Sequence, residues 1–159
     1  GPFYLQLLIG KHGIYVNELA ARIGGAFEDV IIPEITGFDI LGAAMDCALG
    51  REACGAVPEG FRPDESQVSA VVLLLFCRPG EIDYITPLRE LFKLPGVLDA
   101  GYNYRVGERI PVMENATARF GHGVILGDKE NIKERVDAFY RCLSVRTVDG
   151  EEMIQRFGL

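Results

Sequence analysis

Apolar and polar residues alternate in two stretches near the start of the chain, and this pattern predicts a β-hairpin. The first stretch runs from Phe3 to Ile9 and the second from Ile14 to Ala20, with GKHG between them. Aliphatic, aromatic and β-branched residues favour strands, and the glycines between the two stretches favour a turn. The chain therefore opens on two antiparallel strands.

The length of the turn sets which side chains face each other. A three-residue loop of residues 11–13, with Gly13 in the left-handed region, places Gln6 opposite Glu18. Alternation then puts Arg22 on the same face if the strand stays regular, and Asn17 on the opposite face. Paired side chains of this kind have Cβ atoms about 5 Å apart.

Two helices are predicted after the hairpin. Residues 27–35 form a short helix broken near Pro33, and a firmer helix begins after Asp39 as N-cap and ends at Gly50. Its apolar stripe is more typical of core packing than of a ligand-binding site. The stripe consists of Ile40, Leu41, Ala44, Met45, Ala48 and Leu49. The pattern fades in VPEGFRPDESQ, which is typical of a connection between domains.

A second unit begins at about Ser69 with the order β-α-β-β-α-β. Its strands are SAVVLLLFC, GVLDAGYNYR, ATARFGHGVILG and SVRTV, and its helices are PLRELFKL and DKENIKERVDAFYRCL, the second capped by Asp128. This order describes a split βαβ unit, an antiparallel sheet with both helices on one face. The fold class is therefore predicted to be α+β.

Composition and charge exclude several functions. The 159 residues include 16 Lys and Arg against 23 Asp and Glu, and the net charge of −7 disfavours nucleic acid and an anionic membrane as partners. Only two histidines are present, which leaves little material for histidine-based metal sites. Four cysteines without CxxC spacing indicate a reducing, cytoplasmic location. The chain begins on a strand, so we expect it to be the C-terminal part of a larger protein.

Two motifs favour structural roles. In GHGVILGD the glycine spacing does not match a dinucleotide fingerprint and no P-loop lysine follows Gly127, so a strand bulge and helix entry are expected. Glu28 and Asp29 are adjacent at a helix start, where they point in different directions and meet the helix dipole favourably. Neither motif predicts catalysis.

The hairpin carries the stronger chemistry. An amide oxygen at Gln6 and a carboxylate at Glu18 form a hard-oxygen pair suited to Mg²⁺, and Arg22 could clamp a phosphate or carboxylate. The alternative is a solvent-facing hairpin with a Glu/Arg surface pair that contributes under about 1 kcal/mol. The residue chemistry alone leaves both interpretations open.

The segment GPFYLQLLIGKHGIYVNELAARIGG resembles the last strand pair of ATP-grasp ligases, a family that includes carbamoyl-phosphate synthase, biotin carboxylase and L-amino-acid ligases. The resemblance implies that Gln6 and Glu18 ligate magnesium, that Arg22 contacts the phosphoryl group or acyl substrate, and that Gly24 and Gly25 let backbone approach the reacting groups. The metal-binding asparagine of that pattern is replaced here by Ala20, which removes one oxygen ligand.

The segments ITGFDIL and SAVVLLLFCRPGEI…LFKLPGVLDAGYNYRVGERI…ARFGHGVILGD are also similar to that family, the second to the small C-terminal domain of L-amino-acid ligases. Residues 1–66 are accordingly interpreted as the end of an ATP-grasp domain and residues 67–159 as the small α+β domain. The upstream ATP-grasp lobes would then be the principal partner, and a homodimer is compatible with this interpretation.

The resemblance implies the C-terminal portion of an ATP-dependent carboxylate–amine ligase that works through an acyl phosphate with Mg²⁺ and ATP. The lysines and glycine-rich loop that hold ATP in the family lie upstream, so this portion alone is expected neither to bind ATP tightly nor to be active. Two alternatives stay open. One is a non-catalytic binding or assembly module with a degenerate hairpin, and the other is a carbamoyl-phosphate-synthase-like enzyme that uses bicarbonate.

Overall fold

The chain divides into two compact units, residues 1–66 and 67–159. The structure, a computed structural model, describes residues 1–53, 55, 59–62, 66–115 and 118–156. Cys54 and the predicted strand start at Ala116 and Thr117 lie outside the described residues. The assignment of the two units to ligase domains stays a prediction.

The first unit opens with the predicted hairpin, formed by β1 (Tyr4–Gly10) and β2 (Gly13–Ala20). The predicted loop length is wrong, because Gly10 pairs with Gly13 and only two residues form the turn. Gly13 has a φ of 137°, which glycine adopts without a side-chain penalty. One extra residue in β2, Asn17, shifts the pairing by one position, so that the residues farther from the turn have the register predicted for the longer loop.

Helix α1 (Glu28–Thr36) continues through Pro33, so the predicted break at this proline is wrong. Proline removes one N–H donor, but the backbone carbonyls beyond it still find partners. The carbonyl of Pro33 accepts a hydrogen bond from the N–H of Gly37 at 2.8 Å. Gly37 has a φ of 73°, and this left-handed glycine ends the helix instead.

Helix α2 (Ile40–Ala48) has the predicted cap, since the Oδ1 of Asp39 accepts a hydrogen bond from the Gly42 N–H at 2.8 Å. The prediction that its apolar stripe packs in a core is wrong, because several residues of the stripe are exposed. Met45 is 59% exposed and Leu49 is 63% exposed. A nine-residue amphipathic helix therefore leaves much of its apolar side uncovered in this unit.

The second unit contains a four-stranded antiparallel sheet with the order β10-β3-β8-β6. Its strands are β3 (Val68–Cys77), β6 (Val97–Tyr102), β8 (Gly121–Asp128) and β10 (Ile154–Gln155). The prediction that SVRTV forms the fourth strand of this sheet is wrong, because β10 occupies that position. Residues of that segment instead form β9 (Val145–Arg146), which pairs with β5 (Tyr84–Ile85), while β4 (Gly80–Glu81) pairs with β7 (Arg109–Ile110).

Two helices, α3 (Leu88–Leu91) and α4 (Ile132–Cys142), pack against each other and against the sheet. On α4 the apolar residues Val136, Phe139 and Tyr140 are buried, as their helical spacing leads one to expect. The predicted cap is wrong, because α4 starts after Asn131. The Asp128 carboxylate instead accepts the N–H groups of the preceding turn, including that of Asn131 at 2.8 Å.

These elements confirm the predicted α+β class, with antiparallel sheets and few helices. The sheet order is that of a split βαβ unit, with its last strand supplied by a later segment than the pattern indicates. In the part of the chain that the structure describes, every helix is too short or too polar to span a bilayer.

The thiols of Cys47 and Cys77 should differ in reactivity. Cys47 is exposed, whereas burial and then the charge of Glu152 raise the pKa of Cys77 from 9.0 to about 12. Near pH 9 in the native protein, we expect iodoacetamide to modify Cys47 and to spare Cys77, because the thiolate is the nucleophile. Peptide mass spectrometry measures this, and equal labelling of both thiols would contradict it.

The same shift has a consequence for stability. Since the folded pKa lies above the unfolded one, the stabilisation linked to the neutral Cys77 thiol is complete below pH 9.0 and is lost as the pH rises towards about 12. The labelling experiment has a control in the unfolded chain. After denaturation in guanidinium chloride, iodoacetamide should modify Cys47 and Cys77 at the same rate, because neither thiol is then buried.

Candidate active site

Gln6 lies directly opposite Glu18 in the hairpin, as predicted, although for a different reason. The two-residue turn sets a register in which Leu7 pairs with Val16. If that register continued along the strands, Gln6 would lie opposite Asn17. A β-bulge intervenes, because Asn17 is an extra residue in β2 and pairing resumes one position later. The bulge therefore determines that the carboxylate of Glu18 faces Gln6.

Asn17 does not lie on the face predicted for it. Its Nδ2 donates a hydrogen bond to the Oε1 of Gln6, so the two carboxamides lie on the same side of the hairpin. In a regular strand Asn17 and Glu18 would point to opposite faces, but at a bulge two successive residues oppose one residue of the partner strand. The sequence carries no direct signal for this bulge.

Arg22 lies beyond the end of β2, so regular alternation does not place it. Its guanidinium nevertheless reaches the same group of side chains, with Nη2 3.6 Å from Oε1 of Glu18 and the Nη1 group donating to the carbonyl of Ile23 at 2.8 Å. It also lies over the Tyr4 ring, 5.7 Å from the centroid. Both side chains of the ion pair are about half exposed, so the pair itself contributes under about 1 kcal/mol.

The two glycines after Arg22 differ. A side chain at Gly24 would collide with the carboxylate of Glu28, which folds back to accept the Ala26 N–H at 2.6 Å. A side chain at Gly25 would meet no described atom within 4 Å. Gly24 thus makes room for Glu28, and Gly25 leaves open space beside its backbone.

Phe27, the residue between this turn and α1, has a φ of 66°. A bulky residue in the left-handed region costs about 1 kcal/mol or more, because its Cβ crowds the backbone. Its backbone carbonyl receives the first N–H groups of the helix, including that of Ile31 at 2.9 Å. The tight entry into α1 is therefore held by helix hydrogen bonds.

The hairpin offers a set of oxygen donors, comprising the amide oxygens of Gln6 and Asn17 and the carboxylate of Glu18. Hard oxygen ligands fit Mg²⁺, which keeps several waters and needs only one or two carboxylates. Within the described ranges, no three His, Cys, Asp or Glu side chains form a metal-binding cluster. The group on the hairpin contains one carboxylate, so it fits a weakly held, partly hydrated cation.

The other face of the hairpin is wholly apolar, a surface that is not among the features predicted from the sequence. Its side chains come from alternate positions of both strands and range from 44% to 81% exposed. They are Leu5, Leu7, Ile9, Ile14, Val16 and Leu19, hereafter the apolar hairpin face. Such a continuous exposed apolar surface is uncommon and marks a site of contact with another structure.

In the second unit, glycines of GHGVILGD let neighbouring side chains and backbone pack closely against β8. β8 is a regular strand, and the register shift of this sheet lies in β6, so the predicted bulge in β8 is wrong. A side chain at Gly123 would lie 2.6 Å from the ring of Phe139. Next to it, His122 lies over Gly101, with Nε2 3.2 Å from the Asp99 carboxylate.

Comparison with known proteins gives evidence on the fold. No protein-family model matches the chain, and no curated protein matches it. Among solved structures there is a likeness in fold, which supports an ATP-grasp-like architecture.

That structure is the crystal structure of phosphoribosylglycinamide synthetase from Anaerococcus prevotii, with a TM-score of 0.67 and 12% sequence identity. The match covers 90% of this chain and 36% of that one, so the chain spans about a third of the enzyme it resembles. At this identity the likeness establishes a shared fold.

The two adjacent glycines provide a matched pair of substitutions. We expect Gly24→Ala to displace the Glu28 carboxylate from the Ala26 N–H and to lower the free energy of unfolding by about 0.5–1 kcal/mol. Gly25→Ala should be neutral or slightly stabilising, because its methyl group enters open space. Urea denaturation and the Ala26 amide resonance measure both effects, and an unmoved Ala26 resonance in Gly24→Ala would contradict the assignment.

Proposed function

We propose that this chain forms part of an ATP-dependent carboxylate–amine ligase that works through an acyl phosphate. The observation that carries the proposal is the pairing of Gln6 with Glu18 on one hairpin face, beside the guanidinium of Arg22. The ATP-grasp-like fold supports it at the level of a ligase relationship.

In this proposal Gln6 and Glu18 hold Mg²⁺ against the phosphates of ATP. The ion, when bound, neutralises charge that develops during phosphoryl transfer. The ion pair between Glu18 and Arg22 is open to solvent, so the carboxylate can exchange the guanidinium for a cation at little cost. Arg22 then becomes available to orient the transferring phosphoryl group or the acyl phosphate in a bidentate manner.

The turn after Arg22 would lie next to the reacting groups. The open space beside Gly25 lets a ligand approach the main chain, whose N–H groups can stabilise an oxyanion. Gly24 contributes indirectly, by leaving room for Glu28 to fix the turn through the Ala26 N–H. These roles rest on the backbone of the turn.

ATP itself would be held mainly by other lobes of a longer protein. The apolar hairpin face supports this part of the proposal, because a two-stranded hairpin with one apolar face is marginally stable unless that face is covered. Covering it with further strands or helices of the same protein would complete the ATP-binding lobe. The small-molecule carboxylate and amine substrates would then meet on the polar face.

A second candidate function is a non-catalytic binding or assembly module. Ala20 favours it, because this residue pairs with Tyr4 on the polar face and contributes no oxygen where the ligase pattern has an asparagine. Such a module would keep the hairpin and its apolar contacts while losing Mg²⁺-dependent turnover. The experiment on Glu18 separates the two candidates.

In the longer protein that contains this chain, Glu18→Ala should lower Mg²⁺-dependent ADP release by at least about 100-fold, as expected for loss of one preorganised electrostatic group. Glu34→Ala, which removes an exposed carboxylate of α1, is the matched control and should have no effect. Carboxylate-dependent ADP release, followed by a coupled assay, is the measurement. Unchanged release in Glu18→Ala would refute the metal assignment, and no release in the wild type would favour the binding module.

The apolar hairpin face allows a second test. Ile14 on this face and Tyr15 on the polar face are 66% and 55% exposed in this chain, so Ile14→Lys and Tyr15→Lys should each change its free energy of unfolding by less than about 0.5 kcal/mol. In the longer protein, Ile14→Lys should cost more than about 2 kcal/mol, because a charge would be buried without a partner.

Tyr15→Lys is the matched control and should leave the stability of the longer protein nearly unchanged. Chemical denaturation of both forms gives the comparison. Equal stability of the two variants in the longer protein would show that the apolar hairpin face is not covered there.

A further inference from the structure

The bulge in β2 places Glu18 on the polar face of the hairpin beside Asn17, so three oxygen-bearing side chains meet on that face. Without it Asn17 would sit opposite Gln6 and Glu18 would move to the apolar face, whereas with it Gln6, Asn17 and Glu18 share one side. β-Bulges commonly redirect a side chain towards a functional site. The contact between the two carboxamides shows that they are within reach of a common ligand.

We propose that Asn17 is a cation-binding residue, whose carboxamide oxygen joins Gln6 and Glu18 as the third protein oxygen of the hairpin site. The inference rests on the proposed function and deepens it by assigning a ligand that the linear pattern of the strands does not indicate. Ala20, on the same face, carries no oxygen ligand in its side chain, and Asn17 is a side chain in contact with Gln6 that can supply one.

The orientation of the Asn17 amide gives this inference a distinctive signature. The Nδ2 of Asn17 now donates to Oε1 of Gln6, an arrangement that keeps the two amide oxygens apart. Turning the Asn17 amide by about 180° would bring its oxygen beside that of Gln6, and the terminal torsion of asparagine permits this turn. Two adjacent oxygens repel each other unless a cation lies between them, so cation binding should favour the turned amide and break the hydrogen bond.

The effect of the cation can be measured on this chain directly. In a ¹⁵N-labelled sample, Mg²⁺ should shift the side-chain NH₂ signals of Asn17 as its hydrogen bond to Gln6 is lost. Mn²⁺, which accepts the same carboxylate and amide ligands, should broaden signals of Gln6, Asn17 and Glu18. Broadening at Gln6 and Glu18 tests the metal site of the proposed function, and the Asn17 signals test this inference.

Three variants separate a ligand from a merely structural residue. Asn17→Ala should raise the apparent dissociation constant for Mn²⁺ by about tenfold or more. Val16→Ala, next to the bulge but on the apolar hairpin face, is the control and should leave it unchanged. Ala20→Asn introduced into Asn17→Ala should recover most of the lost affinity, because position 20 faces the same side as Glu18.

Cross-strand nuclear Overhauser effects between Gln6 and Glu18 monitor the register in each variant. If wild-type broadening at Gln6 and Glu18 is absent, the metal site of the proposed function and this inference both fail. If the wild type binds and Asn17→Ala binds equally well, only this inference is overturned. Loss of both affinity and register in Asn17→Ala, without recovery by Ala20→Asn, would assign Asn17 a structural role and would also overturn it.

Discussion

The backbone pairing of β1 with β2, shifted by one residue at Asn17, is the constraint on which the candidate site depends. Side chains along a strand alternate strictly, so a slip of one position exchanges the two faces of the hairpin. With the bulge in place, the polar groups gather on one side and six aliphatic side chains gather on the other. A single inserted residue thus places Glu18 on the polar face and Leu19 on the apolar hairpin face.

The polar face has little energetic support from its own charges. The Glu18–Arg22 pair is about half exposed, and the carboxamide contact between Asn17 and Gln6 is also exposed, so neither fixes the site strongly. The polar side chains are positioned instead by the hydrogen-bonded pairing of β1 with β2 and by the turn that Gly24 allows. Polar side chains held this weakly suit a site that must exchange one charged partner for another during a reaction.

Much of the fold follows from residue patterns. Alternation located the hairpin strands, and the Asp39 cap and the buried face of α4 follow from helix periodicity. The opposition of Gln6 and Glu18 was predicted correctly from an incorrect turn, because a shorter turn and a bulge give the same register. Bulges leave no reliable trace in a single sequence, and this is why the face of Asn17 was wrongly predicted.

Other differences arise where long-range packing decides between similar local signals. SVRTV and the segment around Ile154 both have strand-forming residues, and only the three-dimensional sheet selects the second as the partner of β3. That choice joins Ile154 to Cys77, so the sheet of the second unit stays open at this edge while the intervening residues are being synthesised. During synthesis on the ribosome, this edge of β3 stays unpaired until Ile154 has been made, 77 residues after Cys77. Over that interval a chaperone or a neighbouring nascent chain has access to the edge.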